Sequence, residues 1–272
     1  MIRDITIGQY YQGDSVIHRL DPRLKVVGVF VYLISLFCFK TIFGFLAAGL
    51  FFVVVLKLSK VPFRFVVKGL KPILFLLIFT AALNLLWTPG RVIWSFGILS
   101  LTKEGIYKCV FMALRLLLLI IGSSMLTLTT TPNQLTDAME HLLKPLQKVK
   151  APVHEIAMMM SIALRFIPIL LEETDKIMKA QMSRGADFES GNLIKRLHSM
   201  IPLLVPLFIS ATRRANELAY AMDARCYNGG SGRTKMRPLK YHTMDIWGYM
   251  GLVLYIVFLV TVCTLARWNG LG

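Results

Sequence analysis

The 272-residue chain is 56% hydrophobic and only 17% charged, with a mean hydropathy of +0.61. That composition excludes an ordinary soluble domain and points to an all-α, polytopic helical membrane protein. The formal net charge of +16 could suit nucleic acid, but the cations lie between apolar segments of membrane-spanning length. They are expected to be positive-inside loops beside a lipid bilayer, with no nucleic acid partner.

The polar N-terminal segment, residues 1–25, carries Arg19, Arg23 and Lys25 just ahead of the apolar run Val26 to Phe39. This predicts a cytoplasmic N-terminus and a first span that stays as an uncleaved signal anchor. The run falls short of the roughly 20 residues of a typical span, so it either extends past Lys40 or turns back in a tight hairpin. Ile42 to Leu56 is the second span and leads to a cytoplasmic basic segment with Lys57, Lys60, Arg64, Lys68 and Lys71. Leu70 to Trp87 is the third, ending on an indole at the interface, and Thr88 to Glu104, with only Arg91 and Lys103 as cations, is an external loop. Gly105 to Leu128 is the fourth and contains Arg115. An arginine at membrane depth costs roughly 2.5 to 3.5 kcal/mol on insertion scales, so it either pairs inside the bundle or serves transport.

At Thr131 the pattern changes. Thr131-Pro132-Asn133-Gln134 reads as a helix start, with an N-cap threonine, proline at the first helical position and glutamine at the capping-box position. Asp137 and Glu140 early, and Lys144 and Lys148 late, suit the helix dipole; Pro145 and Pro152 punctuate the chain at its far end. From Pro152 to Arg184 runs a glycine-free pattern, about 50 Å of helix at 1.5 Å per residue, with a kink expected at Pro168. Its apolar residues recur at helical spacing while Glu172, Glu173, Asp175, Lys176 and Lys179 mark a wet side, which predicts an amphipathic helix outside the hydrocarbon core.

Gly185 to Asn192 is a break, with Asn192 as an N-cap for an amphipathic piece, Leu193 to Met200. Pro202 and Pro206 are expected to bend the chain before a second long helix that ends at Arg225 and is closed by Asn228 to Gly232. Basic residues Arg233, Lys235, Arg237 and Lys240 precede the last span, Ile246 to Leu265. The sequence thus predicts about five spans. A membrane domain covers residues 26–131, a cytoplasmic helical insert residues 132–243, and the last span falls within residues 244–272.

Residues that could carry chemistry are sparse. Cys38, Cys109, Cys226 and Cys263 contain no C-x-x-C pair, and His18, His141, His154, His198 and His242 no i, i+4 pair, so neither disulfide, metal nor cofactor is expected. The glycine-rich stretch Gly229 to Thr234 follows a helix and lacks the Gly-Lys-Ser/Thr ending of a phosphate loop; if ATP is involved, another subunit binds it. There is no G-x-S-x-G elbow and no H-E-x-x-H, and Asp223-Ala224-Arg225 matches only the start of a membrane phosphatidyltransferase motif, so no catalytic residue is expected.

Two features stand out instead. Ser183-Arg184-Gly185 and Ala224-Arg225-Cys226 each close a long helix with an arginine beside a residue suited to leaving it. A cation at a helix C-terminus is worth roughly 0.3 to 1 kcal/mol as a simple cap; an exposed guanidinium fork on a rigid helix can also grip a partner's carboxylate. Met158, Met159, Met160, Met178 and Met182 supply soft, polarizable side chains for a surface that re-packs against exchanging partners, or fill a core.

Gly8-Gln9-Tyr10 with Leu20-Asp21-Pro22-Arg23, the twin arginine sites, and Arg225-Cys226-Tyr227 through Pro238-Leu239 resemble the transmembrane T component of energy-coupling factor (ECF) transporters. The resemblance spans nearly the whole chain. It implies a non-catalytic coupling subunit in the cell membrane that joins two cytoplasmic ABC-type ATPase subunits to one or more membrane S components for uptake of vitamins or other micronutrients. Residues 132–243 would then be a coupling domain, Arg184 and Arg225 with their neighbours would dock the ATPases, and the methionines named above would face the S component. That family's pattern is often Ala-Arg-Gly; Ser183 and Cys226 depart from it while both arginines are kept. The alternative is a self-sufficient secondary transporter, for which Arg115 is the only obvious mid-membrane charge.

Overall fold

The computed structural model describes residues 10–39, 42–70, 73–87, 92–96, 99–186, 188, 194, 198–229, 236 and 238–268. The expected N-cap at Asn192, most of Leu193 to Met200, Gly8, Gln9, Lys40, Lys71, Arg91, Gly230 to Gly232, Arg233, Lys235 and Arg237 lie outside the described residues. The chain forms two compact units, Ile7–Ala138 with Leu239–Gly272, and Met139–Pro238.

The first unit holds α1 (Val16–Arg19), α2 (Pro22–Cys38), α3 (Ile42–Ser59), α4 (Phe63–Leu70), α5 (Leu74–Trp87), α6 (Lys103–Thr129) and, after the second unit, α10 (Thr243–Trp268). α6 is the post against which α2, α3, α4 and α5 all pack. Aromatic and aliphatic residues of α2, α3, α6 and α10, among them Tyr32, Leu36, Phe45, Ile121 and Tyr255, form the buried core. Outside it, side chains such as Phe75 and Leu50 are about two-thirds exposed or more, as expected of a surface whose solvent is hydrocarbon.

The architecture is all-α, as the composition implies, with local differences. The segment that the sequence reads as an external loop contains a two-stranded antiparallel hairpin, β1 (Val92–Phe96) and β2 (Leu99–Thr102). Thr102 ends that hairpin and caps α6, its Oγ1 accepting from the Gly105 N–H at 3.1 Å. The basic segment after α3 folds as α4, where Val66 is buried and Phe63, Arg64 and Phe65 stay exposed. The first span takes the hairpin alternative: α2 stops at Cys38, Phe39 is extended, and α3 begins at Ile42.

Among the described residues, four helices are long and apolar enough to cross a membrane: Ile42–Ser59, Lys103–Thr129, Thr243–Val262 and, in the second unit, Val153–Ser183. The last reads from sequence as an extramembrane amphipathic helix. Its charges collect after Leu171, which leaves the first half mostly apolar. α2 and α5 are shorter, at 17 and 14 residues.

α7 (Pro132–Leu143) opens with the expected capping box: the Gln134 N–H donates to Thr131 Oγ1 (3.3 Å) and the Thr131 N–H to Gln134 Oε1 (3.2 Å). A 3-10 turn, Lys144–Val149, comes next, and Lys150 turns the chain with φ of 61°. α8 (Val153–Ser183) continues unbroken through Pro168. α9 (Ile201–Asp223) starts earlier than the prolines suggest. Pro202 sits in the first turn, where its missing donor is an orphan anyway, and Pro206 forfeits one bond to the Pro202 carbonyl without ending the helix.

A buried polar junction ties the ends of the membrane unit together. The Asp245 carboxylate, 1% exposed, accepts from the Asp21 N–H (2.7 Å) and the His242 N–H (2.6 Å). Asp21 in turn caps α2 through the Arg23 N–H at 2.8 Å. The Arg23 guanidinium donates to the Leu239 carbonyl (3.2 Å) and lies over the Tyr241 ring, while Lys25 Nζ donates to the carbonyls of His18 (3.1 Å) and Thr129 (3.0 Å). Two cations and two anions are thus buried together, in formal balance, at the ends of α2, α6 and α10. A buried charge deprived of its partner costs about 3 to 5 kcal/mol. Asp245→Ala should therefore destabilise the detergent-solubilised chain by about 3 kcal/mol in a denaturation titration; a loss below about 1 kcal/mol would mean that the carboxylate does not organise the junction.

His18 extends the junction. Its Nδ1 accepts from the Ser15 hydroxyl at 2.7 Å and its Nε2–H donates to the Tyr11 carbonyl at 3.0 Å. Burial holds the imidazole below its ordinary 6.5, so just under that value the unfolded chain binds more protons than the folded one. Stability should be full above about pH 6.5 and fall as the pH drops through and below it. His18→Gln should flatten that acid-side slope in thermal unfolding compared between about pH 7.5 and pH 5.5.

Candidate functional site

The two arginine sites prove to be the same local structure. At the end of α8 the Gly185 N–H donates to the Met182 carbonyl and the Ala186 N–H to the Gln181 carbonyl, each at 3.0 Å, with Gly185 at φ of 87°. At the end of α9 the Cys226 N–H donates to the Asp223 carbonyl (2.9 Å) and the Tyr227 N–H to the Met222 carbonyl (3.1 Å), with Cys226 at φ of 55°. Both are Schellman closures, in which a left-handed residue lets two amides reach back to carbonyls the helix leaves unpaired. Arg184 and Arg225 occupy the identical position, immediately before the left-handed residue. Glycine takes that conformation freely, whereas a residue with a Cβ is strained there by roughly 1 to 2 kcal/mol. Cys226 carries that strain.

All six residues, Ser183, Arg184, Gly185, Ala224, Arg225 and Cys226, are exposed. Among the described residues neither guanidinium has a hydrogen bond or an ion pair. α8 and α9 pack together within the second unit, joined by Arg214 Nη2 and Glu173 Oε2 at 3.0 Å. The C-terminal part of α9 lies beside the N-terminal part of α8, since Leu218, Met222 and Arg225 share a cleft with Met158, Ser161 and Ile162. The helices therefore run in opposite senses. From the Glu173–Arg214 bridge each arginine lies about 11 residues further along its own helix, about 16 Å of rise in opposing directions. The exposed sites lie at opposite ends of this antiparallel pair.

They differ in their surroundings. Arg225 borders the cleft of about 570 Å³ closed by Tyr227 and Asn228, while nothing lies within 4 Å of where a Cβ on Gly185 would stand. The methionines separate as well: Met159, Met160 and Met182 are about half exposed, whereas Met158 lines the cleft and Met178 is half-buried. Consecutive residues 158 to 160 point in three directions on a helix, so they cannot form one face.

Arg115 takes the structural option. Its Nη2 donates to the Phe39 carbonyl at 2.9 Å, capping the end of α2, and its guanidinium lies over the rings of Phe37 and Phe45. The mid-membrane charge that would support a secondary transporter is engaged in joining α6 to the α2–α3 turn. Among the described residues no cluster of three or more His, Cys, Asp or Glu could hold a metal. The Glu173–Arg214 bridge and the Asp245 junction were not singled out from sequence. Each pairs residues far apart in the chain, and the only signal was an acid placed at the start of an apolar span.

The family of cobalt transport proteins, CbiQ, matches residues 13–236. The energy-coupling factor transporter transmembrane protein EcfT of Ruminiclostridium cellulolyticum is 58% identical over 246 residues, covering 90% of this chain and 92% of that protein. The EcfT protein of Acidaminococcus fermentans is 48% identical over 275 residues, covering 99% of each. That of Bacillus subtilis is 48% identical over 260 residues, covering 95% and 98%.

The shared closure sets opposite expectations at its two left-handed positions. Cys226→Gly should raise stability by about 1 kcal/mol and Gly185→Ala lower it by about the same amount, read as shifts in thermal unfolding of the purified chain.

Proposed function

Because the chain belongs to the family of energy-coupling factor transporter transmembrane proteins, EcfT, it is the transmembrane component of an ECF transporter, and we propose that it couples two cytoplasmic ABC-type ATPase subunits to a membrane S component. The cargo is a vitamin or other micronutrient captured by that S component. The chain itself is non-catalytic; its partners hydrolyse ATP. It sits in the cell membrane as a multi-pass protein with the N-terminus and residues 132–243 on the cytoplasmic side, following the placement of its basic residues.

In this reading Arg184 and Arg225, flanked by Ser183, Gly185, Ala224 and Cys226, each enter a groove on one ATPase against acidic residues. The observation that carries it is the repetition of one closure, with an exposed guanidinium that has no partner among the described residues, at both ends of an antiparallel helix pair. A single cap needs no such duplication, whereas two equivalent partners call for two equivalent contacts. When the ATPases close on ATP, α8 and α9 are displaced as levers about the Glu173–Arg214 bridge. The exposed Met159, Met160 and Met182, with the less exposed Met158 and Met178, transmit that movement to the S component through separate soft contacts that tolerate re-packing.

Co-purification of ATPase subunits with the detergent-solubilised chain tests this. Reversing one charge at a desolvated contact costs about 2 to 5 kcal/mol, or at least about 30-fold in affinity. Arg184→Glu and Arg225→Glu should each weaken retention, and the double variant should lose the ATPases while eluting as a folded monodisperse protein. Wild-type retention in all three would make both arginines helix caps only.

A further inference from the structure

The cleft of about 570 Å³ beside Arg225 is built from both helices of the second unit. Met158, Ser161 and Ile162 stand at i, i+3 and i+4 on one face of α8, opposite Leu218 and Met222, at i and i+4 on α9. Ile162, Leu218 and Met222 are only half-buried, so part of their apolar surface stays wet. Arg225 carries the only charge among the residues that border the cleft. Among the described residues its guanidinium has no hydrogen bond or ion pair.

These walls define what fits. A small anion would answer Arg225 but leave the apolar face wet, and a purely apolar group would cover that face but strip water from the guanidinium without replacing it. The matching occupant carries both: a carboxylate for the guanidinium fork, and beside it an apolar group that displaces water from Ile162, Leu218 and Met222. The volume lies within the roughly 300 to 1,000 Å³ of sites that hold a whole small molecule, so it admits a projecting side chain together with its backbone.

The Arg184 end is built differently. Its closing hydrogen bonds stay within α8 and the turn that follows, and a Cβ on Gly185 would meet nothing within 4 Å. A partner at Arg184 meets the end of one helix, whereas a partner at Arg225 also reaches between two.

Given the docking of Arg225 into an ATPase groove proposed above, we infer that the rim of that groove sends an apolar side chain, next to the carboxylate that meets Arg225, into this cleft as a wedge between α8 and α9. The two docking sites are therefore inequivalent: Arg184 is held by charge, and Arg225 by charge together with apolar burial. The wedge bears on Met158, so a push delivered at the end of α9 reaches the first half of α8, next to the exposed Met159 and Met160.

Titration of the purified ATPase subunits against the detergent-solubilised full chain tests this in two backgrounds. In Arg184→Glu, where Arg225 is the remaining contact, Ser161→Trp fills the cleft and should weaken binding at least about tenfold, the worth of one buried apolar side chain. Ile162→Thr, which makes the wall polar at little change in shape, should weaken it about 3- to 10-fold in the same background. In Arg225→Glu, where the ATPases are held at Arg184, Ser161→Trp should cause no further loss. Thermal stability of the Ser161→Trp chain alone should be unchanged or higher, because an open cleft accepts the indole.

Undiminished affinity of Ser161→Trp and Ile162→Thr in the Arg184→Glu background would overturn the wedge while leaving the arginine contacts in place. Equal losses in the two backgrounds would overturn it as well, and so would a lower thermal stability of Ser161→Trp, which would mean that this chain already fills the cleft. Wild-type affinity in the double variant Arg184→Glu with Arg225→Glu would instead overturn the docking on which the wedge rests.

Discussion

The Asp245 carboxylate, 1% exposed, is the interaction on which the membrane unit depends. It receives backbone amides from the start of α2 and from the approach to α10, segments more than 220 residues apart in sequence. A carboxylate removed from water needs such donors, and their number and closeness fix where the two helices begin. Arg23 and Lys25 then bring in the Leu239 carbonyl, the His18 carbonyl and the end of α6. Four buried charges in formal balance do what an apolar contact could not, because hydrogen bonds impose direction as well as proximity. In a bilayer, apolar contact between helices has little to gain over contact with lipid, so directional groups carry the specificity.

Arg115 obeys the same logic at the other end of α2, where its guanidinium answers the Phe39 carbonyl left free as the helix stops. Helix termini are where backbone groups go unpaired, and this fold places its internal charges there. Packing takes over between those points. Gly122 lets the Tyr32 ring press against α6, and Gly248 lets Leu24 press against α10; any Cβ at either position would collide with those side chains.

The second unit uses helix termini for a different end. The Schellman closures at Gln181–Ala186 and Met222–Tyr227 satisfy the last carbonyls by backbone alone, which leaves Arg184 and Arg225 free of capping duty. Their guanidinia project from rigid frames instead of folding back on the helix. Cys226 holds the left-handed position at a conformational cost that glycine avoids at 185, so the two ends share a geometry without sharing a residue. Both lie about 11 residues along their helices from the bridge between Glu173 and Arg214, in opposing directions.

Much of this was legible in the residues. The apolar runs marked out the helices, Thr131 to Gln134 spelled a capping box that forms as written, and the arginine-plus-turn signature located both helix ends. Local physics explains that success: periodicity, capping and left-handed closure are settled by residues within a few positions of one another. Proline misled at Pro202 and Pro206, where the long helix begins ahead of both, because the first turn has no use for the missing donor and packing can hold a helix together across one missing bond. The sequence by itself determined an all-helical membrane protein and the positions of its two arginine sites. Only the tertiary structure decided that Asp245 organises the junction, that Arg115 is a cap, and that α8 and α9 run in opposite senses. Each of those facts depends on which groups meet across long stretches of chain, and neither composition nor spacing encodes that meeting.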